Sequence, residues 1–414
     1  MIEVIFAEYP FIFFSIPLQM VITRKRFMEV TALAGLGWGL GGRPAGGQTV
    51  AMPVPARGFF TTARRHGRHW FITPEGVPFW SIGLNHVDAA TLRSGDSDGV
   101  WEEKYGNSME RWLAAVHQDL RGWGFNTMGW NQELVTWNDL NNHHSRSFTF
   151  EEYQWLDLPY CHLLPFIESH QWEKETRLPD LRSKGFADWC DYVARDHCAR
   201  MKNDPKLIGY FYSDCPTWVH NSPDTAWKAP LFDPELLKTP AGQRELLELA
   251  GTYYRVTHEA VRRYDQNHLI LGDRYEANRP LANEVLTAAT PYVDVFSFQC
   301  FGTAPTVSEK LGRWASFLGD KPILLADNAP WLPTAHQGWP PQEDRHIDPD
   351  GYRAIMHALQ KMPQCVGYHL CGAYLRNQTR RYGLKDARDE IDPSAAGVQQ
   401  VNGEVQVWMQ GFQG

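Results

Sequence analysis

Eight times in succession the chain passes from a short apolar run to a longer stretch whose apolar residues recur at helical spacing. Buried parallel strands read as continuous apolar runs and need a helical crossover between them. One unbroken series of eight such units is most simply satisfied by an α/β fold, a closed (β/α)8 TIM barrel. The strand-like runs fall near 78–83, 124–131, 158–166, 207–213, 268–273, 293–298, 322–326 and 366–370. Between them, Met109, Trp112, Val116 and Leu120 keep the helical period. So do Phe186, Trp189, Val193, His197 and Met201 behind a capping Ser183, and Leu246, Ala250, Tyr253, Tyr254, Thr257 and Val261. Strand-like runs at 58–62 and 69–73, separated by turns, predict a short N-terminal β-hairpin feeding the first barrel strand. Past Arg388, alternating runs around Asn402-Gly403 predict a C-terminal hairpin.

With 414 residues, 43% of them hydrophobic, the chain can bury a core of this size. Its net charge of -8 supplies no attraction to nucleic acid or an anionic membrane surface and suits a neutral substrate. Seven cysteines, an odd number with no C-x-x-C pair, read as buried thiols rather than a disulfide framework. Neither zinc-finger spacing, a metalloprotease motif nor a calcium loop appears, and His143-His144 reads as surface. Gly37-Trp38-Gly39-Leu40-Gly41-Gly42 matches a dinucleotide fingerprint but lacks the strand before it and the helix after it. The expectation is neither a metal nor an organic cofactor.

Residues 1–56 are expected to lie outside the folded domain at 57–414. Thr23-Arg24-Lys25-Arg26-Phe27-Met28-Glu29, followed by a weakly apolar Gly-rich stretch, resembles a twin-arginine export signal with Lys at the second Arg. This predicts a periplasmic or extracellular bacterial protein, with Met20 as an alternative start. Residues 2–18 carry Glu3, Glu8, Pro10 and Pro17 and make a poor membrane span, so the mature domain is expected to have no membrane partner.

Barrel chemistry sits at the C-terminal ends of the strands, which directs attention to the residues that close each run. The run at 207–213 is followed by Asp214-Cys215, with Trp218 close behind; the run at 322–326 is followed by Asp327, with Trp331 close behind. Two acids reaching one pocket are the minimum for cleaving a glycosidic bond, and the indoles are candidate stacking platforms for sugar rings. Asn85, His86, Trp130, Asn131, His162, Gln299 and His369 also stand at predicted strand ends, as candidates to hydrogen-bond sugar hydroxyls. Arg274 and Glu276 follow the fifth run. Arg274 reads either as a cation for an acidic sugar or as a salt-bridge partner of Asp273 or Glu276, and Glu276 is the surviving Glu nearest the expected pocket.

Colinear pieces carry a resemblance: Gly58-Phe59-Phe60, Pro74-Glu75-Gly76, Ser81-Ile82-Gly83-Leu84-Asn85-His86, Gly124-Phe125-Asn126-Thr127, Ile208-Gly209-Tyr210-Phe211, Gly272-Asp273-Arg274 and Lys321-Pro322-Ile323. The chain resembles the agarase-type glycoside hydrolases, family 50-like, of the retaining clan A barrels. That resemblance implies a TIM barrel acting on a polysaccharide or oligosaccharide, agarose-like galactans included. It also implies Asn-Glu at the end of the fourth strand and a nucleophilic Glu at the end of the seventh. Here Asp214-Cys215 and Asp327 stand in those places, so the retaining mechanism does not transfer.

Three readings stay open. Asp214 and Asp327 form a working pair, Asp214 as acid and Asp327 as base. The shorter side chains would widen the gap toward the roughly 6.5–9.5 Å of inverting enzymes. Alternatively Cys215 acts as a thiolate activated by Arg274 or His369. Thirdly, the barrel binds sugar without hydrolysing it.

Overall fold

The computed structural model describes residues 57–93, 97–137, 141–144, 146–167, 179–216, 218, 235–332, 344–371, 374–376 and 381–412. The export-like segment and most of the Pro-rich stretch at 219–240 lie outside them. Eight parallel strands close in chain order: β1 (Ser81–Leu84), β2 (Thr127–Met128), β3 (Tyr160–Leu163), β4 (Leu207–Asp214), β5 (Leu269–Glu276), β6 (Phe296–Gln299), β7 (Ile323–Asn328) and β8 (Cys365–Leu370). β8 pairs with β1 to complete the ring.

The barrel interior is filled by an apolar plug. Cys161, Leu163, Ile208, Phe211, Leu271, Val295, Leu324, Ala326 and Val366 form one cluster there. Phe60 and Phe71 belong to the same cluster. They come from the three-stranded antiparallel sheet of Thr61–Arg65, Arg68–Ile72 and Pro78–Phe79, as the N-terminal hairpin reading predicts. Arg68 donates to the carbonyls of Gln360, at 2.6 Å, and Cys365, at 3.0 Å, just before and at the start of β8. The sheet therefore stoppers the N-terminal end of the barrel and leaves the C-terminal end for chemistry.

Outside the strands lies a second layer of helices, among them Met109–Gly122, Lys184–Met201, Pro240–Tyr264, Ala304–Leu318 and Pro349–Gln360. Ser183 caps its helix by accepting from the Phe186 N–H at 3.1 Å. Cys190 and Cys198 are buried on that helix, and all seven cysteines are buried free thiols. Trp189, read with the buried face, is instead 45% exposed. Among the described residues, no helix is long and apolar enough to cross a membrane.

The predicted C-terminal hairpin is overturned, because Ser394–Gln410 is a helix. Its buried Val398, Val401, Val405 and Met409 keep helical spacing. Asn402, read as a turn residue, is wholly buried: its Nδ2 donates to the Trp123 carbonyl at 2.9 Å and its Oδ1 accepts from Tyr352 Oη at 2.7 Å. Gly403 sits inside this helix and is not among the positive-φ glycines, so it serves no turn.

Candidate active site

A bulge aims the central cation. Along the β5–β4 ladder the register shifts on both sides of Gly272, which takes φ +62. Below the bulge Leu269 and Leu271 point into the barrel plug. Above it Asp273 turns outward, accepting from Tyr253 Oη at 2.9 Å and Tyr254 Oη at 2.6 Å on the helix Pro240–Tyr264. Arg274 turns inward, with no exposed surface and its guanidinium 4.3 Å above the Trp130 ring. The Asp273–Arg274 salt bridge read from sequence is thus replaced by two others.

Arg274 Nε donates to Asp214 Oδ1 at 2.8 Å, and its Nη2 lies 2.6 Å from the same oxygen. Gln299 Nε2 donates to that oxygen as well, at 2.8 Å. Arg274 Nη1 stands 3.7 Å from Asp327 Oδ1. One guanidinium therefore touches both acids, and Asp214 and Asp327 face the same buried space. Asn85 Nδ2 donates to Asp327 Oδ1 at 2.6 Å and to the Ala326 carbonyl at 2.8 Å, while its Oδ1 accepts from the Trp130 N–H at 2.9 Å. This amide ties the ends of β1, β2 and β7 together.

Strand register sets a second row. Glu276 on β5 pairs with Gln299 on β6, and Gln299 with Asp327 on β7. Glu276 is pushed up to about 7, chiefly by burial, with the charges of Asp327 and Asp214 adding and the Asn278 N–H opposing. Burial also raises Asp327 above the ordinary carboxylate range; Arg274 opposes it, and Asp214 adds to it. A carboxyl that keeps its proton near neutrality is what general acid catalysis requires.

Cys215 takes a left-handed φ of 44, and its thiol donates to Gln299 Oε1 at 2.8 Å. Burial, followed by Asp214 and Glu276, pushes this thiol well up; Arg274 pulls the other way and loses. The arrangement favours a thiol over a thiolate, against the activation that a cysteine nucleophile needs. His369 lies beneath the row, its Nε2 2.8 Å from Ser81 Oγ, and burial together with Arg274 lowers it to about 3. It is a neutral imidazole in the floor. A Cβ on Gly83 would stand 2.4 Å from its ring, so a bare backbone is needed there.

Two sequence-predicted residues point elsewhere, and a third is covered. His162 faces the helical layer, with Tyr153 Oη 3.1 Å from its Nδ1 and His197 Nδ1 2.8 Å from its Nε2. Trp218 is packed between barrel and helix, 5.5 Å from the Tyr253 ring and 6.2 Å from Tyr254. Trp331 has one face taken by Tyr382, stacked at 4.0 Å. Asn131 is buried, and among the described residues neither end of its amide has a hydrogen-bond partner. Cys371 was not singled out from the sequence. Its thiol converges with His86 and Asp327, one donor atom from each lying within 4.8 Å of the others. The C-terminal ends of three different strands supply them, so no local spacing could have signalled the group.

No family model matches the sequence, and no curated protein matches it. Solved structures do match. An agarase, AgWH50C, superposes with TM-score 0.65 at 17% identity, over 88% of this chain and 65% of that one. The likeness is one of fold. An exo-beta-agarase gives 0.64 at 16% identity, over 88% and 67%. A Bacteroides uniformis β-glucuronidase gives 0.53 at 11%, over 82% and 37%. This chain thus spans about two thirds of the length of the two agarases. All three neighbours are glycoside hydrolases, and the TIM-barrel expectation is met.

Proposed function

We propose that the chain is a hydrolase of O-glycosidic bonds in a polysaccharide or oligosaccharide, with agarose-like galactans the first class to test. The observation that carries this reading is the row Glu276–Gln299–Asp327 across three neighbouring strands at the chemical end of the barrel. Strands lie about 4.8 Å apart, so residues two strands apart have backbones roughly 10 Å apart. Side chains reaching inward from there fit the roughly 6.5–9.5 Å of an inverting pair, which leaves room for water, better than the ~5 Å of a retaining pair.

In this mechanism Glu276, half-buried and proton-bearing near neutrality, protonates the leaving oxygen. Asp327, oriented by Asn85, takes a proton from the attacking water. Asp214 holds Arg274 in place, and its Oδ1 is filled by donors from Arg274 and Gln299. The acid thereby moves from Asp214, its place in the sequence reading, to Glu276. Cys215 receives no covalent role. The test is turnover of a glycan panel with anomer-resolved NMR of the first-formed product.

A second reading, a sugar-binding barrel without hydrolysis, is favoured by one observation: Asp214 and Asp327 are each only 3% exposed and closed on Arg274. Calorimetric titration with the same panel separates the two, since a binder shows affinity without turnover. We further infer export from the Thr23–Glu29 motif. Replacing Arg24 and Lys25 by Gln should hold a reporter fusion in the cytoplasm, and unchanged export would remove that inference.

A further inference from the structure

We propose that His86, Asp327 and Cys371 form a binding site for a zinc-like divalent cation. The proposal goes beyond the glycosidase reading and rests on a different observation. The three residues follow β1, end β7 and follow β8, which are neighbouring strands in the ring. All three are buried, and one donor atom from each lies within 4.8 Å of the other two. An imidazole nitrogen, a carboxylate oxygen and a sulfur make a mixed set that suits zinc and related borderline cations, whereas calcium and magnesium prefer oxygen alone. Three protein ligands leave a fourth tetrahedral position for water.

The donors are held before any cation arrives. His86 takes a left-handed φ of 55, fixed by its N–H to the Trp130 carbonyl at 3.1 Å and by the Tyr374 N–H to its own carbonyl at 3.2 Å. Its ring meets the Trp130 ring edge-on at 5.1 Å. The Cys371 N–H donates to the Asn328 carbonyl at 2.8 Å, and Asn85 orients Asp327. Such outer contacts are what set the direction of metal ligands.

Charge points the same way. Arg274 brings one positive charge to two buried carboxylates, Asp214 and Asp327. A divalent cation that binds Cys371 as thiolate releases the thiol proton to solvent. The two carboxylates and the thiolate then balance the guanidinium and the metal. The same step occupies Asp327, so a bound cation would remove it as a free base.

The test uses the full chain stripped with chelator, then titrated with Zn²⁺ by calorimetry and with Co²⁺ by absorption. The proposal expects one equivalent bound, about one proton released, and a thiolate-to-cobalt charge-transfer band. Cys371→Ser, nearly isosteric, should abolish that band and weaken Zn²⁺ binding at least about tenfold, and His86→Ala should weaken it similarly. No binding by the wild type, or binding unchanged in Cys371→Ser, would overturn it and leave Cys371 as a thiol donor to Asp327. No turnover is read, so failure here leaves the glycosidase reading standing.

Discussion

Arg274 and Asp214 form a buried ion pair, with Nη2 2.6 Å from Oδ1 and neither side chain more than 3% exposed. The pair is laid down by register, since Arg274 on β5 stands opposite Asp214 on β4. Charges this deep are stabilised only when each is matched, and the second carboxylate, Asp327, leans on the same guanidinium.

Removing the cation should therefore be costly. Arg274→Met leaves two buried carboxylates facing each other, and the expected loss is about 3–5 kcal/mol in a denaturant titration. A loss under about 1 kcal/mol would mean that the pair contributes little.

Glu276 gives a pH signature. Its folded-state value of about 7 lies above its unfolded value, so the folded state holds a proton that the unfolded state releases. Stability should fall as pH rises from about 4.5 to 7, and Glu276→Gln should remove up to about 3 kcal/mol of that fall. Parallel slopes for wild type and variant across this window would refute the raised value. If Glu276 is the acid, kcat/KM of the wild type should also decline above about pH 7.

Trp218 and His162 are expected to behave as packing residues. Trp218→Ala should cost about 3–5 kcal/mol through the cavity left against Tyr253 and Tyr254. KM should stay within a few-fold at temperatures where the variant is folded. A large rise in KM with unchanged stability would return Trp218 to the sugar site.

Gly403 tests the C-terminal helix. Gly403→Ala, with open space at the new Cβ, should raise stability by up to about 1 kcal/mol, as in any helix interior. A turn glycine would respond with destabilisation.

The barrel was legible because a doubly covered strand must be apolar along its length, and eight such runs survive in the sequence. Side-chain direction was not. The bulge at Gly272 decides that Arg274 enters the pocket while Asp273 meets the tyrosines, and no residue spacing records it. His162 follows the same logic, because a strand alternates faces and its face packs against His197. At the C-terminus the Asn402-Gly403 turn signal hid the helical spacing of Val398, Val401 and Val405. Glu276 was visible as a nearby acid, but its raised value depends on burial and on two carboxylates brought in by other strands.

The central claim is that Glu276 and Asp327 hydrolyse a glycosidic bond across the row they form with Gln299. Anomer-resolved NMR of the first product from an agarose-like or other glycan, run on the wild type, Glu276→Gln and Asp327→Asn, tests it most directly. The account predicts an inverted product anomer and a loss of about 10²–10⁴ in kcat for each variant. A retained anomer, or full activity in Glu276→Gln, would contradict it, as would tight glycan binding with no turnover by the wild type.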